Sequence, residues 1–191
     1  MILHQELANF LNYYLSLIIL ALAVLLIAWA VDLFIIRLKY GPYKELRTVY
    51  KKIAEYTLPL GFFASLFSAF LTLFYSEYLG YAPCALCWFQ RVALYPMVIL
   101  FFIAWMRKDF TVYRYILALS AVGFIVSLYH QYLQMGYDAF LPCAANAVFV
   151  DCAKPSFVEF GFVTFPFMAL TLFSFFILVA VTLRMKVKRG E

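Results

Sequence analysis

The chain has 191 residues, of which 67% are hydrophobic and 13% are charged, and its mean hydropathy is +0.92. This composition excludes a soluble domain, because uncharged runs of about 18 or more residues are long enough to cross a bilayer. The net charge of +5 does not indicate a nucleic-acid partner, since the basic residues cluster in short segments between the apolar runs.

Five apolar runs predict an all-α integral membrane protein with five spanning helices. In chain order they cover residues 15–36, 56–76, about 87–106, 115–137 and 160–183. We interpret the first run as a retained helix rather than a cleaved signal peptide, because no Lys or Arg precedes it.

The basic segment after the first run contains apolar residues at helical spacing, following Pro42. Two interpretations of residues 43–55 stay open: a short amphipathic helix on the membrane surface, or a plain solvated connector. In the outer loop, the uncharged stretch 144–150 is typical of a segment that rests on the membrane.

The basic residues also predict the orientation. Thirteen of the fifteen Lys and Arg lie in the clusters 37–52, 107–114 and 184–189. The positive-inside rule makes these clusters cytoplasmic. A multi-pass protein of the inner or plasma membrane follows, with its N-terminus outside and its C-terminus in the cytoplasm. Both cysteine-bearing loops are then extracytoplasmic, where disulfides persist.

The most informative motif is Pro83–Arg91, which reads PCALCWFQR. A Cys-x-x-Cys pair closes almost no chain, so its spacing favours a redox pair over a structural staple. If the helix starts near Trp88, its N-terminus favours a thiolate at Cys87, and Arg91 lies one turn further on the same face. An arginine kept at membrane depth is a candidate functional residue.

A second cysteine pair, Cys143 and Cys152, faces the same compartment, and His130 lies towards the outer end of the fourth span. The four thiols allow three uses: a zinc site, two structural disulfides, or a thiol relay. The eight-residue spacing of the second pair disfavours zinc, and we assign no metal site. A relay next to Cys87 and Arg91 suits a hydrophobic electron acceptor such as a quinone.

These residues resemble a known family. Pro83–Arg91 is similar to the active-site signature of the DsbB/BdbC disulfide bond formation proteins, and residues 160–170 (FGFVTFPFMAL) are similar to the start of that family's last helix. The resemblance covers about residues 57–184. It implies a four-helix transmembrane bundle that oxidises an extracytoplasmic, DsbA-like thioredoxin-fold protein and passes the electrons to ubiquinone or menaquinone in the membrane.

The resemblance also implies roles for individual residues. Cys87 is the thiolate that faces the quinone, Cys84 is its disulfide mate, and Arg91 polarises the quinone. The partner protein attacks Cys143, and the released Cys152 attacks Cys84. For His130, two interpretations stay open: a place near the quinone head, or an interfacial histidine without a role.

Three features depart from the family pattern: the extra first span, the short gap between the outer cysteines, and Gln90 in place of an acidic neighbour of the arginine. The predicted organisation is an added helix and basic connector (1–56), a redox core (57–184) and a basic tail (185–191). Two other functions stay open. One is a reductase related to the vitamin K epoxide reductases, and the other is a membrane adaptor with structural disulfides only.

Overall fold

The computed structural model describes residues 2–39, 47–139 and 151–187. Within these ranges it has five α-helices: α1 (Ile2–Lys39), α2 (Arg47–Leu73), α3 (Ala85–Arg107), α4 (Tyr113–Gln134) and α5 (Phe165–Val187). A π-helical turn, Phe74–Tyr78, follows α2, and a 3-10 turn, Phe110–Val112, precedes α4. Each of the five helices contains a stretch long and apolar enough to cross a membrane. The predicted all-α membrane fold is therefore confirmed.

The predicted short surface helix at 43–55 is wrong as a separate element. Residues 47–55 are the beginning of α2, which continues to Leu73. No Gly or Pro lies between Arg47 and Leu58, so nothing in that stretch ends the helix. Residues 43–46 lie outside the described residues, as does the predicted membrane-resting stretch 144–150.

The last helix begins later than predicted, at Phe165 instead of residue 160. Phe160 and Gly161 have φ angles of 53° and 81°, which a right-handed helix does not allow. The chain turns there, and Glu159 pairs with Val163 in an isolated antiparallel bridge. Pro166 falls in the first turn of α5, where its missing N–H has no helical partner to lose.

Helices α2 to α5 pack around a common core, and α1 lies against α5. The most deeply buried side chains of this core are Met97, Phe101, Ile116, Phe173, Phe176, Val179 and Leu183. Most of α1 stays exposed, as expected of a helix that faces lipid. It is joined to the bundle by a buried hydrogen bond in which the Tyr75 hydroxyl donates to Asn12 Oδ1 at 2.8 Å. Interhelical hydrogen bonds of this kind hold helices together in a membrane, where the hydrophobic effect contributes little to helix association.

The close approach of α4 and α5 depends on a glycine. A Cβ added at Gly123 would clash with the ring of Phe173, and Phe173 is only 1% exposed. The ring therefore has little room to move away. Small residues at helix crossings of membrane proteins permit this kind of contact.

We expect Gly123→Ala to lower the thermal stability of the detergent-solubilised protein. Overpacking costs about 1–3 kcal/mol, and the better helix propensity of alanine returns at most about 1 kcal/mol. Thermal unfolding followed by circular dichroism measures the change. Adding Phe173→Leu should restore part of the loss. A melting temperature of Gly123→Ala at or above that of the unchanged protein would contradict the packing described here.

Candidate active site

Cys84 caps the N-terminus of α3. Its backbone is extended (φ −76°, ψ 173°), and its Sγ accepts a hydrogen bond from the backbone N–H of Cys87 at 3.3 Å. The helix thus starts at Ala85, earlier than the predicted start near Trp88. Cys87 lies in the first turn, and its N–H group stabilises negative charge on Cys84 instead of on Cys87.

Cys84 and Cys87 are free thiols whose Sγ atoms lie 3.0 Å apart. Cys84 is buried and Cys87 is half-buried. A hydrogen bond from the Cys87 thiol lowers the pKa of Cys84, and a hydrogen bond from His130 lowers it further. In this dithiol, Cys84 is therefore the sulfur that readily ionises, and the thiolate is the reactive form of cysteine.

His130 lies near the end of α4 and is completely buried. Its Nε2 atom is 3.6 Å from Cys84 Sγ and 3.2 Å from Gln134 Nε2, and its Nδ1 atom is 3.4 Å from Gln90 Nε2. These contacts hold the imidazole ring in one orientation. Because Nε2 lies within hydrogen-bond reach of Cys84 Sγ, the ring is placed to exchange a proton with the Cys84 thiol.

Gln134 connects the histidine to the second cysteine pair. Its Nε2 atom also donates to the backbone carbonyl oxygen of Cys152 at 3.4 Å. Cys152 is disulfide-bonded and only 1% exposed. It shares a buried cluster with Cys84 and Leu133. Cys143, the other predicted member of this pair, lies outside the described residues.

The segment that carries Cys152 is fastened to α4 by Gln131. The Gln131 amide donates to the carbonyl oxygen of Phe162 at 2.9 Å, and the Thr164 hydroxyl donates to Gln131 Oε1 at 2.6 Å. Thr164 is itself completely buried. These bonds fix the end of the segment where it enters α5, close to the end of α4 that carries His130.

Arg91 is 7% exposed and lies one helical turn after Cys87. Its Nη2 atom donates to the backbone carbonyl oxygen of Thr72 at 2.7 Å, two residues before the π-helical turn 74–78. A π turn departs from the regular bonding pattern of an α-helix, which helps a carbonyl at the end of α2 to accept a donor from α3. The guanidinium also lies 5.2 Å from the ring centroid of Trp88. Both contacts keep a cation at membrane depth.

The structure thus brings most of the predicted site residues to one end of the bundle. The ligand-type atoms of Cys84, Cys87 and His130 lie within 4.8 Å of one another. Cys152 lies in the same buried cluster as Cys84. Arg91 lies one turn further into α3 and contacts Thr72.

Three contacts to these residues were missed at the level of sequence. Gln134 carried a weak signal, since it lies one helical turn after His130. In the sequence Gln90 stands out only as the neighbour of Arg91, and its contact with His130 depends on how α3 packs on α4. Thr72 acts through its backbone carbonyl, so no side-chain pattern can indicate it.

A free dithiol at a helix N-terminus, beside a buried histidine and a cysteine of a second pair, defines a membrane protein of thiol–disulfide exchange. The family described as "Disulfide bond formation protein DsbB" matches residues 55–183. The chain belongs to this family, which confirms the predicted resemblance. It is a multi-pass membrane protein of disulfide bond formation.

Several curated relatives are similar to this chain. The SPbeta prophage-derived disulfide bond formation protein B of Bacillus subtilis is 34% identical over 128 residues, which are 67% of this chain and 85% of that protein. The probable disulfide formation protein C of Halalkalibacterium halodurans is 42% identical over 118 residues, covering 61% and 85%. The disulfide bond formation protein C of Bacillus subtilis is 36% identical over 105 residues, covering 53% and 73%. No solved structure is significantly similar.

Proposed function

We propose that this protein is a quinone-dependent thiol oxidase, which re-oxidises a DsbA-like, thioredoxin-fold dithiol protein on the extracytoplasmic side of the membrane. The observation that carries the proposal is the buried cluster that contains Cys84 of one pair and Cys152 of the other. Thiol–disulfide exchange proceeds by direct attack of a thiolate on a sulfur. Two cysteine pairs can therefore exchange only if their sulfurs can meet.

The proposed sequence of exchanges balances at each step. A thiolate of the partner attacks Cys143 Sγ, which breaks a Cys143–Cys152 disulfide and releases the Cys152 thiolate. The partner's second thiolate then attacks the mixed disulfide and releases Cys143. The Cys152 thiolate attacks Cys84 Sγ of a Cys84–Cys87 disulfide and releases the Cys87 thiolate. Each step forms one S–S bond and breaks one.

The identity of the reactive thiolate changes along this sequence. In the dithiol, hydrogen bonds favour the charge on Cys84. Once Cys84 is bonded to Cys152, Cys87 is the remaining free sulfur of its pair, and Arg91 lies one turn away on the same helix. When the Cys143 thiolate then attacks Cys152 Sγ, the Cys143–Cys152 bond forms, the Cys84–Cys152 bond breaks, and the released Cys84 thiolate can take a proton from His130.

The residues fit a quinone at the lipid edge. Arg91 donates one N–H to the backbone carbonyl oxygen of Thr72. The guanidinium has further N–H donors, which can donate to a carbonyl oxygen of a bound quinone. Cys87, Arg91 and His130 are the residues that would hold the quinone head. When bound, a quinone supplies an acceptor for two electrons and two protons. The chain supplies the thiolate, the cation and the proton-exchanging imidazole.

The same proposal covers organisation and orientation. We assign residues 57–184 to the redox core, 1–56 to the added helix and connector, and 185–191 to a basic tail. The three basic clusters place the N-terminus and both cysteine loops outside and the C-terminus in the cytoplasm. Membership of the disulfide bond formation family favours this oxidase over the vitamin K epoxide reductase-like and adaptor alternatives.

We expect the purified full-length chain to catalyse anaerobic reduction of a soluble quinone analogue, driven by a reduced thioredoxin-fold dithiol protein. The measurement follows quinone absorbance together with the remaining thiols of the partner. One quinone should be consumed for each dithiol oxidised, through many turnovers. A chain whose thiols have been alkylated is the control. Partner oxidation without quinone consumption would contradict the proposal.

A further inference from the structure

The three side chains Cys84, Cys87 and His130 offer two sulfurs and one ring nitrogen within 4.8 Å of one another. We propose that the reduced protein binds a thiophilic divalent cation, Zn²⁺ or Cd²⁺, at this Cys₂His site. The spacing of the cysteines alone did not predict such a site, because the histidine comes from a different helix. The inference depends on the reduced dithiol and not on the quinone or the partner protein.

The distances are close to those of a tetrahedral zinc site. With Zn–S bonds of about 2.3 Å and Zn–N bonds of about 2.0–2.1 Å, two sulfurs are separated by about 3.8 Å and a sulfur and a nitrogen by about 3.6 Å. The distance from Cys84 Sγ to His130 Nε2 is 3.6 Å. The two sulfurs are 3.0 Å apart. To reach the zinc geometry, the Sγ of the half-buried Cys87 must move away from Cys84 Sγ by less than an ångström.

Charge also suits the site. Two thiolates and a neutral imidazole compensate the charge of a divalent cation, so the loaded site is neutral. A neutral cluster avoids the large cost of placing an uncompensated charge among buried groups. Cys84 and His130 are 5% and 0% exposed. Binding converts two S–H groups into two metal–sulfur bonds and releases two protons.

Two glutamines complete the surroundings. For Nε2 of His130 to bind a metal, Nδ1 must carry the proton, and Gln90 lies 3.4 Å from Nδ1. An amide can turn its oxygen towards that N–H and hold the ring, as outer partners of metal-binding histidines do. The buried Oε1 of Gln134 has no hydrogen-bond partner among the described residues. The Gln134 Nε2 atom lies 3.2 Å from His130 Nε2, so the amide must turn for this ring nitrogen to bind the cation. That turn would bring Oε1 to face the site as a fourth ligand.

The site exists in one redox state only. A Cys84–Cys87 disulfide has no thiolate to offer, whereas the dithiol offers two. A bound cation would hold both sulfurs as thiolates and keep them out of exchange. Thiophilic metal ions should therefore trap the reduced form of the protein and inhibit it.

The test uses the full-length chain with Cys143→Ser and Cys152→Ser, so that Cys84 and Cys87 are the thiols that remain. We expect the reduced protein to bind one Cd²⁺ with the ultraviolet charge-transfer absorption of two Cd–thiolate bonds. The oxidised protein should give no such absorption. His130→Gln should weaken the affinity by more than about tenfold, and Gln90→Leu by about tenfold.

Ser127→Ala is the matched control, since Ser127 is buried one turn before His130 and its hydroxyl has no partner among the described residues. Its Cd²⁺ affinity should equal that of the parent. X-ray absorption of the Zn²⁺-loaded parent tests the site without a change at the histidine: we expect two sulfurs at about 2.3 Å and nitrogen at about 2.0–2.1 Å. Equal binding to oxidised protein, unchanged affinity in His130→Gln, or a zinc shell without nitrogen would each overturn the inference.

Discussion

Replacing Cys87 by serine is expected to abolish quinone reduction and to leave the protein folded and inserted. In the proposed exchange, Cys87 is the sulfur that leaves when Cys152 attacks Cys84, and a hydroxyl cannot form or break a disulfide. Cys87 is half-buried in the first turn of α3, and serine is close to it in size. The rate of quinone reduction should fall to the uncatalysed background.

Two measurements separate this result from a structural effect. Thermal unfolding of Cys87→Ser should stay close to that of the unchanged protein. Ala85→Ser, a serine placed in the same helical turn, is the matched control and should retain turnover. An adaptor with structural disulfides would show the opposite pattern, with lowered stability and no turnover to lose. Continued quinone reduction by Cys87→Ser would exclude Cys87 as the sulfur that faces the acceptor.

Arg91→Lys is expected to weaken the use of quinone and to spare a single round of partner oxidation. The guanidinium is a planar group with five donors, so it can bond to Thr72 and still donate elsewhere. A lysine ammonium keeps the charge but loses this fork. Hydrogen bonds to charged groups contribute about 1.5–3 kcal/mol. The KM for quinone should therefore rise by about tenfold or more.

The matched control is Arg107→Lys, the same change at the opposite, exposed end of α3. It should leave the KM for quinone unchanged. Stoichiometric oxidation of the partner in the absence of quinone checks that the cysteine pairs of Arg91→Lys still exchange. A KM for quinone equal to that of the unchanged protein would remove Arg91 from the acceptor site.

The membrane fold could be predicted from the sequence because it depends on a local property. A helix that crosses lipid satisfies its own backbone hydrogen bonds, so length and hydropathy suffice to find it. The boundaries were less accurate where local geometry decides them. The turn at Phe160 and Gly161 depends on two positive φ angles, and hydropathy does not report them. The start of α2 at Arg47 is not predicted from the sequence, because the basic charges of this segment do not distinguish a separate surface element from the beginning of a spanning helix.

The proposed site residues Cys84, Cys87 and Arg91 can be named from the sequence, because they lie within one short motif whose spacing has a chemical meaning. Their environment cannot. In the structure α3 starts at Ala85, so Cys84 is its N-cap residue. The helix N–H group therefore stabilises a thiolate at Cys84 instead of at Cys87, where the sequence predicts it. The sequence marks His130 as a candidate site residue, but it does not indicate that Cys84 is its partner.

What the sequence alone determined is therefore the class of protein: a helical membrane protein of disulfide bond formation, with a Cys-x-x-Cys pair one turn before an arginine. What only the tertiary structure decided is which groups touch them. His130 reaches Cys84 from another helix, Gln134 links it to Cys152, and a backbone carbonyl holds Arg91. The physical reason is that spacing along one helix fixes which residues are neighbours one turn apart. Contacts between helices depend instead on how whole helices rotate and how closely they approach. Packing at positions such as Gly123 sets both.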